Sequence, residues 1–393
     1  MSAVDDTQAP RVSIWNNAKT RGAAVQIAML LAILWLAYEL FTNAAVNLSK
    51  LGKTFGYGFW NQSAGFDIIQ SLIPYTNESS YGTAITIGFL NTLLVSIIGI
   101  ILATLIGFTV GIARLSRNWL IAKIATFYVE TIRNIPLLLQ LFIWYKVVLA
   151  SVPEHKQALD FFGIAYLSKK GLNIPSPVFG DGAWVGLAGL ALGVIAAIAL
   201  RRWSLTRQAA TGQAFPYIWV GIGLIVGVPW LSLLLMGWPI TFDYPVLGTF
   251  RFTGGSTVVP EFVALLVGLS VYTASFIAEI VRAGLQAVSH GQTEAGGALG
   301  LQQGMITRLI VIPQAMHIII PPLANQYLNL TKNSSLAVAI GYPDLVAMGG
   351  TVLNQTGKAI EVVLIWMVVY LTLSLLTSSF MNWFNNHFKL VER

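Results

Sequence analysis

The 393-residue chain has no cysteine and little charge: Asp, Glu, Lys and Arg make up 10% of it, against 55% hydrophobic residues. Without cysteine there is no disulfide, no thiol nucleophile and no Cys-ligated metal. The four histidines, His155, His290, His317 and His387, are far apart and show no metal-ligand spacing. No GxxxxGK[ST] loop is present, so the chain does not bind ATP by that route, and neither GxSxG nor HExxH occurs. No carboxylate pair is spaced for acid–base catalysis, and the sequence reads as a non-enzyme with no metal or cofactor of its own. The net charge of +7 is scattered between apolar blocks, which is a topology signal and not a nucleic-acid footprint.

What the chain has instead is apolar runs of helix length, at 23–41, 83–112, 124–149, 184–200, 217–236, 261–285, 309–329 and 359–380. They predict an all-α polytopic membrane protein with about eight transmembrane helices. A β-barrel would show alternating segments of roughly ten residues. The first run is read as an uncleaved span, because the residues before it carry Asp5 and Asp6 and no small-x-small cleavage site follows. Eight spans put both termini on one side. That side holds 13 Lys and Arg against 9 opposite, Arg133 being unassigned, and it carries the tight clusters Arg114/Arg117 and Arg201/Arg202/Arg207. Both termini are therefore expected to be cytoplasmic. The loops 45–80, 150–183 and 237–259 then lie outside as small docking surfaces or caps. Residues 184–236 read as an inserted hairpin, and 331–358 as a polar, glycine-rich connection.

Polar groups at membrane depth are costly and carry function by default. Glu130 and Arg133, three apart, can offset each other, and Pro136 frees a carbonyl about one turn back, which breaks the third run. Such a segment suits a solute path, or else a helix start at the interface. Tyr272, Thr273, Ser275, Glu279 and Arg282 recur at helical spacing in the sixth run. The first three are candidates for solute contact, and the last two for an interfacial pair. In the seventh run Asn325 and Asn329 follow Pro321-Pro322 and either line a cavity or join helices.

Between the sixth and seventh runs lies EAGGALGLQQGMITRLIVIP, residues 294–313, a glycine-rich break in the hydrophobic chain. Thr293 or a neighbour is expected to cap a short helix with Glu294 and Ala295 in its first turn. Gly296, Gly297 and Gly300 permit a sharp turn, and two short helices with a bend result. That shape can plug into a groove on a partner.

The stretch resembles the EAA, three residues, Gly, nine residues, Ile-x-Leu-Pro pattern of the inner-membrane permeases of binding-protein-dependent ABC importers. Here it reads Glu294-Ala295-Gly296, Gly300, Ile310, Ile312, Pro313, with Gly296 for the second Ala and Ile312 for Leu. The flanks NTLLVSIIG (91–99), YVETIRNIPLLLQLFIWY (128–145), YTASFIAEIVRAGLQAV (272–288) and IPQAMHIIIPPLANQYLNLTKNSSLAVAIG (312–341) are similar to the polar amino acid branch. The resemblance covers 83–150 and 261–385, and the enlarged build is similar to one permease of the general L-amino acid systems (the Q-type subunit). It implies a five-helix permease core in two parts, 81–150 and 261–385, with the coupling loop at 289–308. Residues 1–80 would add an N-terminus, a first span and an outer loop, and 151–260 an inserted region with two extra spans. By the same resemblance the chain works in a bacterial inner membrane. Its partners would be a second, different permease, two cytoplasmic ATPases that use ATP and Mg, and a periplasmic binding protein that delivers L-amino acids. Glu294, Ala295, Gly296, Gly300 and Pro313 would form the ATPase contact. Two other readings remain: a secondary transporter using Glu130, Arg133 or Glu279 with an ion gradient, and a non-transporting scaffold.

Overall fold

The computed structural model describes residues 18–50, 52, 55–249 and 252–387. The stretch 1–17 and the tail 388–393, with Arg11, Lys389 and Arg393 of the charge count, lie outside the described residues, as do Lys53 and Arg251.

Each apolar run becomes a helix, because a buried or lipid-facing backbone must satisfy its hydrogen bonds internally. In order they are α1 (Ala18–Lys50), α2 (Tyr81–Ala113), α3 (Trp119–Asn134), α4 (Leu137–Ser151), α5 (Trp184–Thr211), α6 (Tyr217–Leu235), α7 (Pro260–Gln286), α8 (His290–Ala298), α9 (Gln303–Ile306), α10 (Ile312–Asn333), α11 (Leu345–Thr356) and α12 (Ala359–His387). Among the described residues seven stretches are long and apolar enough to cross a membrane, or eight if α3 and α4, bent by 110°, count as one broken span. The protein is a multi-span helical bundle.

The core forms around α7, which packs along α2 and also against α3, α4 and α10. Small residues let α2 and α7 approach closely. A Cβ on Gly107 would lie 2.6 Å from the Ile277 side chain, and one on Gly111 2.8 Å from the Ala278 carbonyl. Where lipid offers no hydrophobic drive for association, such backbone proximity maximises dispersion contact. By contrast α5 and α6 pack on each other and make no substantial contact with a core helix.

The break at Pro136 has its own repair. Gln140, almost wholly buried, turns back and donates Nε2 to the carbonyls of Ile132 (2.8 Å) and Ile135 (2.9 Å). Two acceptors orphaned by the missing helical bonds are thereby satisfied.

Three stretches read as loops or connections are structured. Residues 331–358 are not an irregular loop. They continue α10, form a 3₁₀ turn over Ser334–Ile340, and then build α11, whose Leu345 and Val352 are fully buried against α2 and α12. The loops 150–183 and 237–259 hold eight short strands: β1 (Leu159–Phe161), β2 (Ala165–Ser168), β3 (Gly171–Ile174), β4 (Ser176–Phe179), β5 (Ile240–Asp243), β6 (Val246–Leu247), β7 (Phe252–Thr253) and β8 (Ser256–Val258). One antiparallel sheet runs β1-β2-β3-β8, and β4 pairs with β5 and β6 with β7. Because β3 pairs with β8 and β4 with β5, both loops share one end of the bundle. The loop before α2 joins them there, where Asp67 and Ile68 line a cavity of about 390 Å³ with Lys170, Asn173 and Thr257.

Candidate functional site

At the opposite end, α7 and α10 close on each other, a Cβ on Gly284 falling 2.4 Å from Ile319. On this base sits the segment from Ser289 to Pro313. Its first helix begins at His290 with Ser289 at the N-cap position, four residues before the expected Thr293 cap. Glu294 consequently lies in the second turn. Its largely exposed carboxylate meets His290 Nδ1 at 3.0 Å, one turn back, and does not face the helix N-terminus.

α8 ends in a Schellman motif. Gly300 N–H bonds to the Gly297 carbonyl (2.9 Å) and Leu301 N–H to the Gly296 carbonyl (3.2 Å). Gly300 takes φ +76° with open space around it, so glycine is needed there for its backbone angle and not for room. Gly296 is the opposite case. It is buried, and a Cβ there would press on Ile306 and Ile310, each at 3.0 Å. A Cβ there would need Ile306 and Ile310 to give by a few tenths of an ångström, because α8 lies closely on α9 and on the π-helical turn Thr307–Val311 that leads into α10. Pro313 is the second residue of α10, directly after the π-helical turn. Ala295, Ala298 and Leu299 are exposed, Leu299 by 79%. The result is a short, rigidly mounted helix pair with an acidic and apolar outer face.

Just above it, Glu279 is clasped between Arg282, whose Nη2 lies 2.5 Å away, and Arg114 at the end of α2. The Glu279–Arg282 pair was visible as an i,i+3 spacing. Arg114 was missed as its partner, since nothing in the sequence links residues 165 apart. The clasp ties α2 to α7 next to α8. Glu130 and Arg133 do not pair. Arg133 instead lies over the Phe276 ring of α7, 5.0 Å from its centroid, while Glu130 is exposed. An aromatic face from a neighbouring helix outcompetes the carboxylate three residues back.

The expected solute-path residues separate. Tyr272 is half-buried beside Phe276, Asn325 and Asn329 are on an open face of α10, and Pro136 is exposed at the break. Thr273 and Ser275 are buried in the bundle, Ser275 donating to the Tyr272 carbonyl at 2.6 Å. Both pack among helix neighbours.

The described residues thus form a bundle of apolar spans with an exposed helix pair at one end. The family described as binding-protein-dependent transport system inner membrane component matches residues 189–390. The chain is 54% identical over 376 residues to the general L-amino acid transport system permease protein AapQ of Rhizobium johnstonii, covering 95% of this chain and 94% of that one. It is 43% identical to the glutamate/glutamine/aspartate/asparagine transport system permease protein BztB of Rhodobacter capsulatus, covering 96% of each. A chain from the crystal structure of an amino acid ABC transporter with histidines aligns with a TM-score of 0.46 at 20% identity, over 78% of this chain and 95% of that one. The chain belongs to the binding-protein-dependent transport system inner membrane components. It is a multi-pass inner-membrane permease subunit and not an enzyme.

Proposed function

We propose that the chain is one of two different permeases in an ATP-driven importer of L-amino acids, of polar or broad specificity. The observation that carries this is the mounted α8–α9 pair: an exposed helix held by the Gly300 motif and the Gly296 contact at the junction of α7 and α10. Two ATPases, which use ATP and Mg, dock on Glu294, Ala295 and Gly300 and their neighbours. Their closure pushes the α7–α10 junction and rocks the broken α3–α4 span, giving alternating access. Nucleotide state and transmembrane conformation then share free energy in both directions.

In this reading the α8 end and both termini are cytoplasmic. The end bearing the strands faces a binding protein, which the small sheets and polar cavities there suit. The core is 81–150 with 261–385, and 151–260 is an insertion. Asn325, Asn329, Tyr272 and Pro136 lie on faces that a second permease would enclose, so the solute path runs between two chains. Thr273 and Ser275 join it only if the bundle opens. The engagement of Glu279 by two arginines speaks against its use as an ion-coupling group.

The test is amino acid uptake into proteoliposomes containing the full complex with loaded binding protein. Glu294→Lys and Gly300→Val are expected to lose at least about tenfold in ATP-dependent uptake while the chain stays inserted and assembled. Normal uptake by both variants sinks the coupling assignment, and uptake driven by an ion gradient without ATP sinks the functional reading.

A further inference from the structure

The α5–α6 hairpin is the part of the chain that coupling leaves unused. Its two helices pack on each other and make no substantial contact with a core helix, and their apolar windows are 11% and 6% buried. β4 runs into α5 and α6 runs into β5, so the turn 212–216 between the helices lies at the end of the bundle away from the strands. That end concentrates charge of one sign. Arg201, Arg202 and Arg207 are the only charged residues between Asp181 and Asp243, and both aspartates belong to the strand-bearing end. The three arginines are exposed, and among the described residues none of them forms an ion pair.

Helix geometry puts these side chains at the bilayer surface. The apolar run 184–200 rises about 25 Å, close to the thickness of a hydrocarbon core, and Arg201 and Arg202 follow it directly. Side chains on a helix lean toward its N-terminus, which here is back toward the bilayer. Arg207 shows that lean. Its guanidinium lies over the ring of Trp203, one turn nearer the apolar run, 5.3 Å from the centroid, and its Nη2 donates to Gln213 Oε1 at 3.4 Å. Trp203 in turn meets Phe215 edge to face at 5.5 Å. An indole at the end of an apolar run suits the headgroup layer. By helical angle Arg201 and Arg207 flank the buried stripe of Gly189, Gly193 and Ser204, and Arg202 is opposite it. An array spread round the helix in this way is a collar for several anionic groups and not a pocket for one.

We propose that this end of the hairpin is a binding surface for anionic phospholipids, of the phosphatidylglycerol and cardiolipin class, whose phosphates pair with Arg201, Arg202 and Arg207. A guanidinium takes phosphate through two parallel N–H bonds, and no carboxylate of the hairpin competes for it. Charge of one sign beside the headgroups also attracts anionic lipid at longer range. The lipid anchors a hairpin that contacts with the core do not hold. The inference needs only that the hairpin spans a bilayer, so it stands apart from the ATP-driven reading.

The test is the lipid that the full complex keeps when it is taken from nanodiscs of mixed phosphatidylethanolamine and phosphatidylglycerol into mild detergent and weighed by native mass spectrometry. Phosphatidylglycerol is expected to be enriched over its bulk share. Arg201→Gln, Arg202→Gln and Arg207→Gln together should lower that enrichment at least about threefold, and raising the salt should weaken it in the parent. Lys156→Gln, at the strand-bearing end, should leave it intact. If the triple variant inserts wrongly, Arg207→Gln alone decides, because two arginines remain to set the topology. Enrichment unchanged by the arginine substitutions, or lowered equally by Lys156→Gln, overturns the proposal and leaves the arginines a role in insertion only. Displacement of the lipid by inorganic phosphate at matched ionic strength makes this a free-anion site and overturns it. Loss of a protein subunit from the arginine variants with the lipid unchanged overturns it in favour of a partner chain.

Discussion

The α2–α7 core and the α5–α6 hairpin are both made of long apolar helices, yet they are built in opposite ways. In α7, 56% of the apolar window is buried inside the chain, whereas in α5 and α6 the shares are 11% and 6%. The core helix is held by glycine-lined approaches, by the Arg114–Glu279–Arg282 clasp and by hydrogen bonds such as that of Tyr128 to the Val271 carbonyl. The hairpin also uses close glycines, Gly189 and Gly193 facing Pro229, Ser232 and Leu224, but only to hold its own two helices together. Hydrophobicity thus places a helix in the bilayer. Small residues and polar pegs decide which neighbour it keeps.

The sharpest way to break the contrast is Gly107→Leu. The added side chain meets Ile277 and the Ala274 carbonyl, and the backbone cannot yield as a side-chain tip can. A loss of about 3 kcal/mol is expected, seen as a lower unfolding midpoint and poor assembly of the complex. Removing one peg should cost less. Arg114→Ala leaves Glu279 with Arg282 and is expected to destabilise the chain by about 1.5–2 kcal/mol, the lower part of the range of a hydrogen bond to a charged group. Its unfolding curve should shift without loss of insertion. The smallest effect belongs to the hairpin. Gly180 N–H and the Pro239 carbonyl are 2.9 Å apart at the end of the β4–β5 pair, so residues 181–238 can be replaced by a short turn. The excised chain should insert, and its core should unfold within about 1 °C of the parent. A large drop would show that the hairpin supports the core.

The same contrast explains what was legible in the sequence. The runs at 83–112 and 261–285 became α2 and α7 within two residues at each end, and the hairpin appeared as expected, because span length and apolarity are local properties. Pro136 marked the broken span, but neither the 110° bend nor Gln140's repair of it has a local signature. Residues 331–358 were misread because Asn333, Ser334, Gly341 and Asp344 resemble a solvated loop. In place, Ser334 and Asp344 are buried and Asp344 caps a helix. Spacing identified Glu279–Arg282 and failed for Glu130–Arg133, since i,i+3 geometry permits a pair without deciding what else competes for the arginine. The helix pair at 290–306 was legible in outline, while its start at His290 and the tight seat of Gly296 depend on Ile306 and Ile310 folding back on it.

The measurement that tests the central claim most directly exploits the absence of cysteine. Ala298→Cys, on the exposed end of α8, gives the chain a single thiol for a short thiol-to-amine cross-linker in the assembled complex. The account predicts a product with an ATPase subunit whose yield changes between nucleotide-free and ATP-bound states. A product formed only with the second permease, or one indifferent to nucleotide, would contradict it.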